Sequence, residues 1–134
     1  MVHQISSTHL SIDQIEAIIS QKATLALSSE SAEKINACRR SLDEKIPKAE
    51  KPIYGVNTGF GSLCNIRISE SELSQLQYNL LVSHACGTGD ELPSEIVQLM
   101  LLLKIQSLSY GHSGCSIQTV ERLIYMYNRV ICPI

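Results

Sequence analysis

A chain of 134 residues, 44% hydrophobic and 18% charged, can bury one globular core of moderate size and is too apolar to be a disordered tail. Its formal net charge of −2 lacks the basic surplus that nucleic-acid binding draws on. Five cysteines, odd in number and without a C-x-x-C pair, argue against a disulfide framework or zinc site and suit a reducing, cytoplasmic compartment.

The opening residues, Met1-Val2-His3-Gln4-Ile5-Ser6, have neither the basic stretch nor the apolar run of a signal peptide. The longest apolar run, Leu99 to Leu103, is too short to span a bilayer. Residues 1–10 are polar and unpatterned and read as a short extended lead-in. Ser11 with Gln14 forms a capping-box signature, and Ile12, Ile15 and Ile19 recur at helical spacing, which predicts a helix over 11–22. Ser28-Ser29 can cap a second helix, whose apolar stripe is Ile35, Cys38, Leu42 and Ile46. Its other face, with Glu33, Lys34, Arg39, Arg40 and Glu44, reads as solvated surface. Pro47 ends it. No composition shift marks a domain boundary, and there is no internal repeat.

Residues 47–68 then form a long loop, with a short extended piece expected at Ile53 or at Ile66-Ile68. Loops of this length inside a compact domain are commonly functional. Gly55, Gly59 and Gly61 fall within seven residues, Tyr54-Gly55-Val56-Asn57-Thr58-Gly59-Phe60-Gly61, and glycine supplies positive φ or close backbone approach. Tyr54 leads this pliant segment, where it is either the anchor of a turn or a functional phenol.

Ser69 and Glu72 give another capping-box pattern, opening a helix over 70–86 with Leu73, Leu76 and Leu80 on its buried face. His84 falls on the same stripe, where a lone histidine is ordinarily a hydrogen-bonded core residue. Gly87 ends that helix. Pro93-Ser94 restart the chain into a helix over 94–110 that is apolar around nearly its whole circumference, as a buried helix is. The chain looks too small to wrap it alone, so an exposed apolar face is expected over residues 96–105. Gly111 stops it. Ser113 or Ser116 caps the last helix, whose apolar face is Ile117, Val120, Ile124, Tyr127 and Ile131. The expected fold is mainly α. The chain closes on the apolar Cys132-Pro133-Ile134, which reads like a cut in a longer sequence.

Several motifs agree in register. The Tyr54–Gly61 loop, Asn79-Leu80-Leu81-Val82-Ser83-His84-Ala85-Cys86-Gly87, Lys104-Ile105-Gln106-Ser107-Leu108 and Gly111-His112-Ser113-Gly114 resemble the N-terminal part of the aromatic amino acid ammonia-lyases, from about Ile53 onward. The resemblance implies residues 1–134 as the N-terminal helical portion of that fold, with a long Gly-rich active-site loop. Members eliminate ammonia and a β-proton from an α-amino acid. They use an electrophile, methylidene-imidazolone, formed from their own Ala-Ser-Gly tripeptide, in sites built from several subunits of a homotetramer.

Carried residue by residue, Tyr54 matches the catalytic tyrosine. A phenol holds its proton tightly, so as a base it needs nearby positive charge or hydrogen bonds to its oxyanion. No cation suggests itself by pattern. His84 matches the position that contacts the substrate side chain, and Ser83-His84-Ala85 is the form of histidine-specific members, the histidine ammonia-lyases, which make urocanate from L-histidine in histidine catabolism. A neutral imidazole can donate or accept a hydrogen bond, which suits another imidazole. Gly61 matches a glycine close to bound ligand. Ala-Ser-Gly occurs nowhere in the 134 residues, so the chain alone is expected to be inactive. The alternatives are a fragment of a tyrosine- or phenylalanine-specific relative, and a non-catalytic helical binding module.

Gly59-Phe60-Gly61 and Gly87-Thr88-Gly89 do not continue as phosphate-binding loops. No His/Asp/Glu spacing supports a metal, and no cysteine has a catalytic partner by spacing, so packing is the default for all five.

Overall fold

Two short strands set the start of the chain. In the computed structural model, which describes residues 1–132, β1 (Val2–Ile5) pairs in parallel with β2 (Thr24–Leu27), with Val2 opposite Thr24 and Ile5 opposite Leu27. Parallel neighbours need a crossover, which helix α1 (Ile12–Ser20) supplies. The expected capping box is formed: the Gln14 N–H donates to Ser11 Oγ at 3.2 Å, and the Ser11 N–H donates to Gln14 Oε1 at 2.9 Å. The helix ends two residues early because Lys22 turns left-handed, at φ 47. The Ala23 N–H then reaches Ile18 O at 3.0 Å and the Lys22 N–H reaches Ile19 O at 3.1 Å, the paired bonds of a Schellman cap. Ala23 and Ile18, both buried, complete its apolar contact.

Helix α2 (Ser29–Lys45) is capped by Ser28, whose Oγ accepts the Ser31 N–H at 3.2 Å. Its stripe is as the spacing predicts, with Ile35 buried and Cys38, Leu42 and Ile46 half-buried. Arg39 departs from the solvated face assigned to it, since its Nη1 donates to Gly114 O at 3.2 Å. A 3-10 turn, Ile46–Lys48, follows at Pro47.

The chain divides into two compact units, one of Met1–Leu42 with the chain from Glu91 onward, the other Asp43–Asp90. The first adds α4 and α5, and the second contains α3 (Leu73–His84). Helix α4 (Ser94–Ser109) puts Leu102 and Ile105 into the core with Ile5, Ile18, Ile35 and Val120. Burial of each such side chain contributes about 1.5–3 kcal/mol. As expected of a chain too small to wrap such a helix, part of its apolar surface stays open: Ile96, Met100 and Leu103 are about half exposed. They lie at i, i+4 and i+7, one apolar face opposite the buried one.

Helix α5 (Ile117–Asn128) buries Val120, Ile124 and Tyr127 as expected. Ile131 is not on that helix. A second Schellman cap closes it, with Val130 at φ 53, the Val130 N–H on Tyr127 O at 3.1 Å and the Ile131 N–H on Met126 O at 2.9 Å.

Polar side chains tie these helices to the strands. Asn128 accepts the Leu25 N–H on Oδ1 at 2.7 Å and donates from Nδ2 to Leu25 O at 2.9 Å, standing in for a third strand beside β2. Gln106 donates from Nε2 to both Ser6 O and Thr8 O at 2.9 Å, pinning the segment that leaves β1.

Replacing Asn128→Ala leaves both Leu25 groups without their partner and is expected to cost about 1–3 kcal/mol, read as a lower urea midpoint. An unchanged midpoint would show that water satisfies that edge equally well. A second outcome concerns pH. His3 sits half-buried in β1, and burial lowers its pKa below the ordinary histidine value. The folded state therefore binds that proton less readily than the unfolded chain. Its contribution is present above about pH 6.5 and is lost as pH falls through the lowered folded pKa. Thermal melts should show this acid-side loss, reduced in His3→Gln.

Candidate active site

The Tyr54 loop lies within the second unit and is folded around one turn. Ile53 O accepts the Val56 N–H at 3.1 Å and the Asn57 N–H at 3.2 Å, with Gly55 at φ 75. That φ is what the third residue of a type II turn requires, and glycine meets it without strain. Tyr54 thus occupies the second position of the turn. Its side chain is 65% exposed, and its ring meets Phe60 edge-on with centroids 6.3 Å apart.

Past the turn the chain pairs with its own return arm. The Ile68 N–H donates to Asn57 O at 2.9 Å, the Gly59 N–H donates to Ile66 O at 3.2 Å, and Thr58 bridges Arg67 in antiparallel sense. The extended piece expected at Ile66-Ile68 is this arm. Between the arms runs the 3-10 turn Gly61–Leu63, which crowds Gly59 so closely that a Cβ there would sit 2.6 Å from Leu63 Cβ. Gly61 has φ 58 and open space where a Cβ would go.

Tyr54 and Gly61 line one cleft of about 640 Å³, together with Lys51, Pro52, Cys64 and Asn65. Lys51 is a cation that sequence pattern did not single out. His84 is not on that wall. It is the last residue of α3, exposed, and that helix follows a third 3-10 turn, Glu70–Glu72. The capping box expected at Ser69 does not form, because the Ser69 hydroxyl bonds the Glu72 carboxylate directly. Leu73, Leu76 and Leu80 are the least exposed stripe of α3 but are only half-buried.

His84 Nδ1 lies 2.9 Å from Leu80 O and 3.0 Å from Ser83 Oγ. A carbonyl oxygen only accepts, so this contact is favourable only if Nδ1 carries the proton. Nε2 is then the ring nitrogen left without a hydrogen-bond partner among the described residues. The core-histidine reading does not describe this residue.

A smaller cavity of about 230 Å³ in the first unit, lined by residues including Tyr127, Asn128 and Val130, holds none of the sequence-derived candidates. Among the described residues no group of three or more His, Cys, Asp or Glu is placed to hold a metal, and no helix is long and apolar enough to cross a membrane.

Residues 10–134 match the family model described as aromatic amino acid lyase. The chain belongs to that family. It is 45% identical over 125 residues to the histidine ammonia-lyase of Deinococcus radiodurans, a match covering 93% of this chain and 24% of that protein. Its fold resembles the histidine ammonia-lyase of Trypanosoma cruzi, with a TM-score of 0.80 and 32% identity over 96% of this chain and 24% of that one. It also resembles the Pantoea agglomerans phenylalanine aminomutase, with a TM-score of 0.85 and 29% identity over 96% of this chain and 25% of that one. The chain spans 24% to 26% of the length of the first two curated relatives it matches. The mainly helical fold inferred from sequence is therefore the N-terminal portion of an ammonia-lyase fold.

Within this family segment, Asn57 and Thr58 were the polar residues that sequence reasoning passed over. Both are buried in the loop, at 4% and 1% exposure. The glycines of the loop predict different sensitivities. Gly59→Ala forces Leu63 to move and is expected to cost about 1–3 kcal/mol by overpacking. Gly61→Ala meets only the left-handed backbone penalty of about 1–2 kcal/mol. Limited proteolysis should cut the loop of the Gly59 variant fastest, and equal rates would refute the close approach.

Proposed function

We propose that the chain is the N-terminal part of a histidine ammonia-lyase, an enzyme of histidine catabolism that eliminates ammonia from L-histidine to give urocanate. The observation that carries the reading is His84: an exposed imidazole whose Nδ1 is already engaged leaves Nε2 to hydrogen-bond the substrate ring. The 45% identity to the D. radiodurans enzyme supports the same substrate.

In this reading Tyr54 is the base that takes the β-proton. Its exposed phenol stands on a turn whose backbone is fixed, beside a cleft that Lys51 also lines. Gly61, without a side chain, leaves the cleft open for the substrate to approach the backbone. The electrophile of the family, methylidene-imidazolone, activates the substrate toward loss of ammonia. Ala-Ser-Gly is not among these 134 residues, so they do not themselves form that group. The intact enzyme is proposed to be a cytoplasmic homotetramer whose sites take residues from more than one subunit, and the active-site role of the Gly-rich loop is part of the same proposal.

The test is a chimera in which this chain replaces the matching N-terminal segment of the D. radiodurans enzyme, assayed for urocanate beside the isolated chain. The isolated chain is expected to give none. The chimera should be active, and Tyr54→Phe should lower kcat by about 10²–10⁴-fold, the range of general-base catalysis. A folded chimera that makes no urocanate from L-histidine, or one indifferent to Tyr54→Phe, overturns the proposal.

A further inference from the structure

The geometry of the loop points to a role for two residues beside Tyr54: we propose that Asn57 and Thr58 are positioning residues that fix the backbone of Tyr54 and thereby aim its phenol. The inference rests on Tyr54 being the base and deepens that reading.

The orientation of a side chain begins with the φ and ψ of its own residue, and these are set by the peptide planes on either side. The plane joining Ile53 to Tyr54 is held through Ile53 O, which accepts the Asn57 N–H at 3.2 Å and the Val56 N–H at 3.1 Å. The plane joining Tyr54 to Gly55 is held through the Gly55 N–H, which donates to Thr58 Oγ1 at 3.3 Å. One residue further back, the Ile53 N–H donates to Asn57 Oδ1 at 2.7 Å. Asn57 thus grips Ile53 from both sides, and Thr58 holds the peptide on the far side of Tyr54. What remains free is rotation about the side-chain bonds of Tyr54, limited on one side by the edge of Phe60.

Burial separates the holder from the held. Asn57 and Thr58 are enclosed, whereas the residue they hold is 65% exposed. Neither side chain is needed to pair the two arms of the loop, since that pairing runs through the backbone of Asn57, Gly59, Ile66 and Ile68. The two side-chain bonds act only on the turn that carries Tyr54. A buried amide and a buried hydroxyl spent on a surface turn make sense where the turn must present one group in one direction. Misplacement of a reacting group by about 1 Å can cost 10²-fold in rate.

Two readouts test this, chosen so that failure of the positioning role and failure of the lyase reading are told apart. Amide hydrogen exchange on the 134-residue chain reports the clamp itself. Asn57→Ala should speed exchange at Ile53, and Thr58→Val at Gly55, by about tenfold or more. Exchange elsewhere in the second unit should be unchanged. Kinetics of the chimera report its purpose. Both variants should lower kcat by about 10–100-fold with KM for L-histidine little changed. Asn57→Asp, which keeps an oxygen acceptor, and Thr58→Ser, which keeps the hydroxyl, should recover most of kcat. Unchanged exchange at both amides overturns the clamp. Faster exchange with kcat unchanged in an active chimera overturns the positioning role while leaving Tyr54 as base. A parent chimera that is folded but inactive sinks the lyase reading, and with it the role given to the clamp.

Discussion

The side-chain amide of Asn128 against the backbone of Leu25 is the contact on which the first unit depends. A parallel pair of four-residue strands has few ladder bonds, and each outer edge leaves donors and acceptors that must be met elsewhere. Asn128 meets one N–H and one C=O of β2 at once, across 103 positions of sequence. That placement fixes the end of α5 against β2, and the apolar faces of α4 and α5 then close over Ile5, Ile18 and Leu25. Gln106 performs the matching task beyond β1, donating to Ser6 O and Thr8 O from the last turn of α4. The core supplies the driving force, but these amides decide which strand edge meets which helix.

The second unit is built differently. Its loop has little apolar burial and takes its order from hydrogen bonds closed over short sequence distances, from Ile53 to Asn57 and from Gly55 to Thr58. Glycines serve two distinct ends there. Gly55 supplies a left-handed φ, whereas Gly59 makes room for the backbone of Leu63. Composition shows no boundary between the two units, because both draw on the same residue types and differ in whether distant or local contacts order them.

Local signals were legible wherever they were self-contained. The Ser11/Gln14 box and the stripe of α2 depend on residues three or four apart, and both appear as read. The same kind of pattern misled at Ser69, where the hydroxyl found the Glu72 carboxylate instead of a backbone N–H. Strand β2 left almost no trace, since Thr24-Leu25-Ala26-Leu27 is too short to show a period of two. Its existence depends on β1 and Asn128, which no local window contains. The end of α5 was equally hidden, because Ile131 continues the apolar spacing while Val130 turns the backbone left-handed. At the candidate site Tyr54, Gly61 and His84 came from a family resemblance. Asn57 and Thr58 were passed over because Asn and Thr are ordinary loop residues until their partners are known.

The exposure of Tyr54 and His84 bears on the roles proposed for them. Removing a weakly acidic proton from carbon requires charge developed in the transition state to be met by fixed dipoles where water is kept out. Tyr54 at 65% exposure and the exposed His84 sit among short-range hydrogen bonds, yet water competes for both. The open apolar face of Ile96, Met100 and Leu103 in the other unit and the half-buried stripe of α3 are surfaces of the same kind, apolar area still in contact with solvent. Backbone aim is a property that short-range bonds can fix within this segment, and around Tyr54 they fix it. Desolvation is a property of enclosure, which depends on how much further surface closes over a group. Local bonds in this chain can therefore hold the orientation of the turn that carries Tyr54, whereas enclosure depends on surface beyond them.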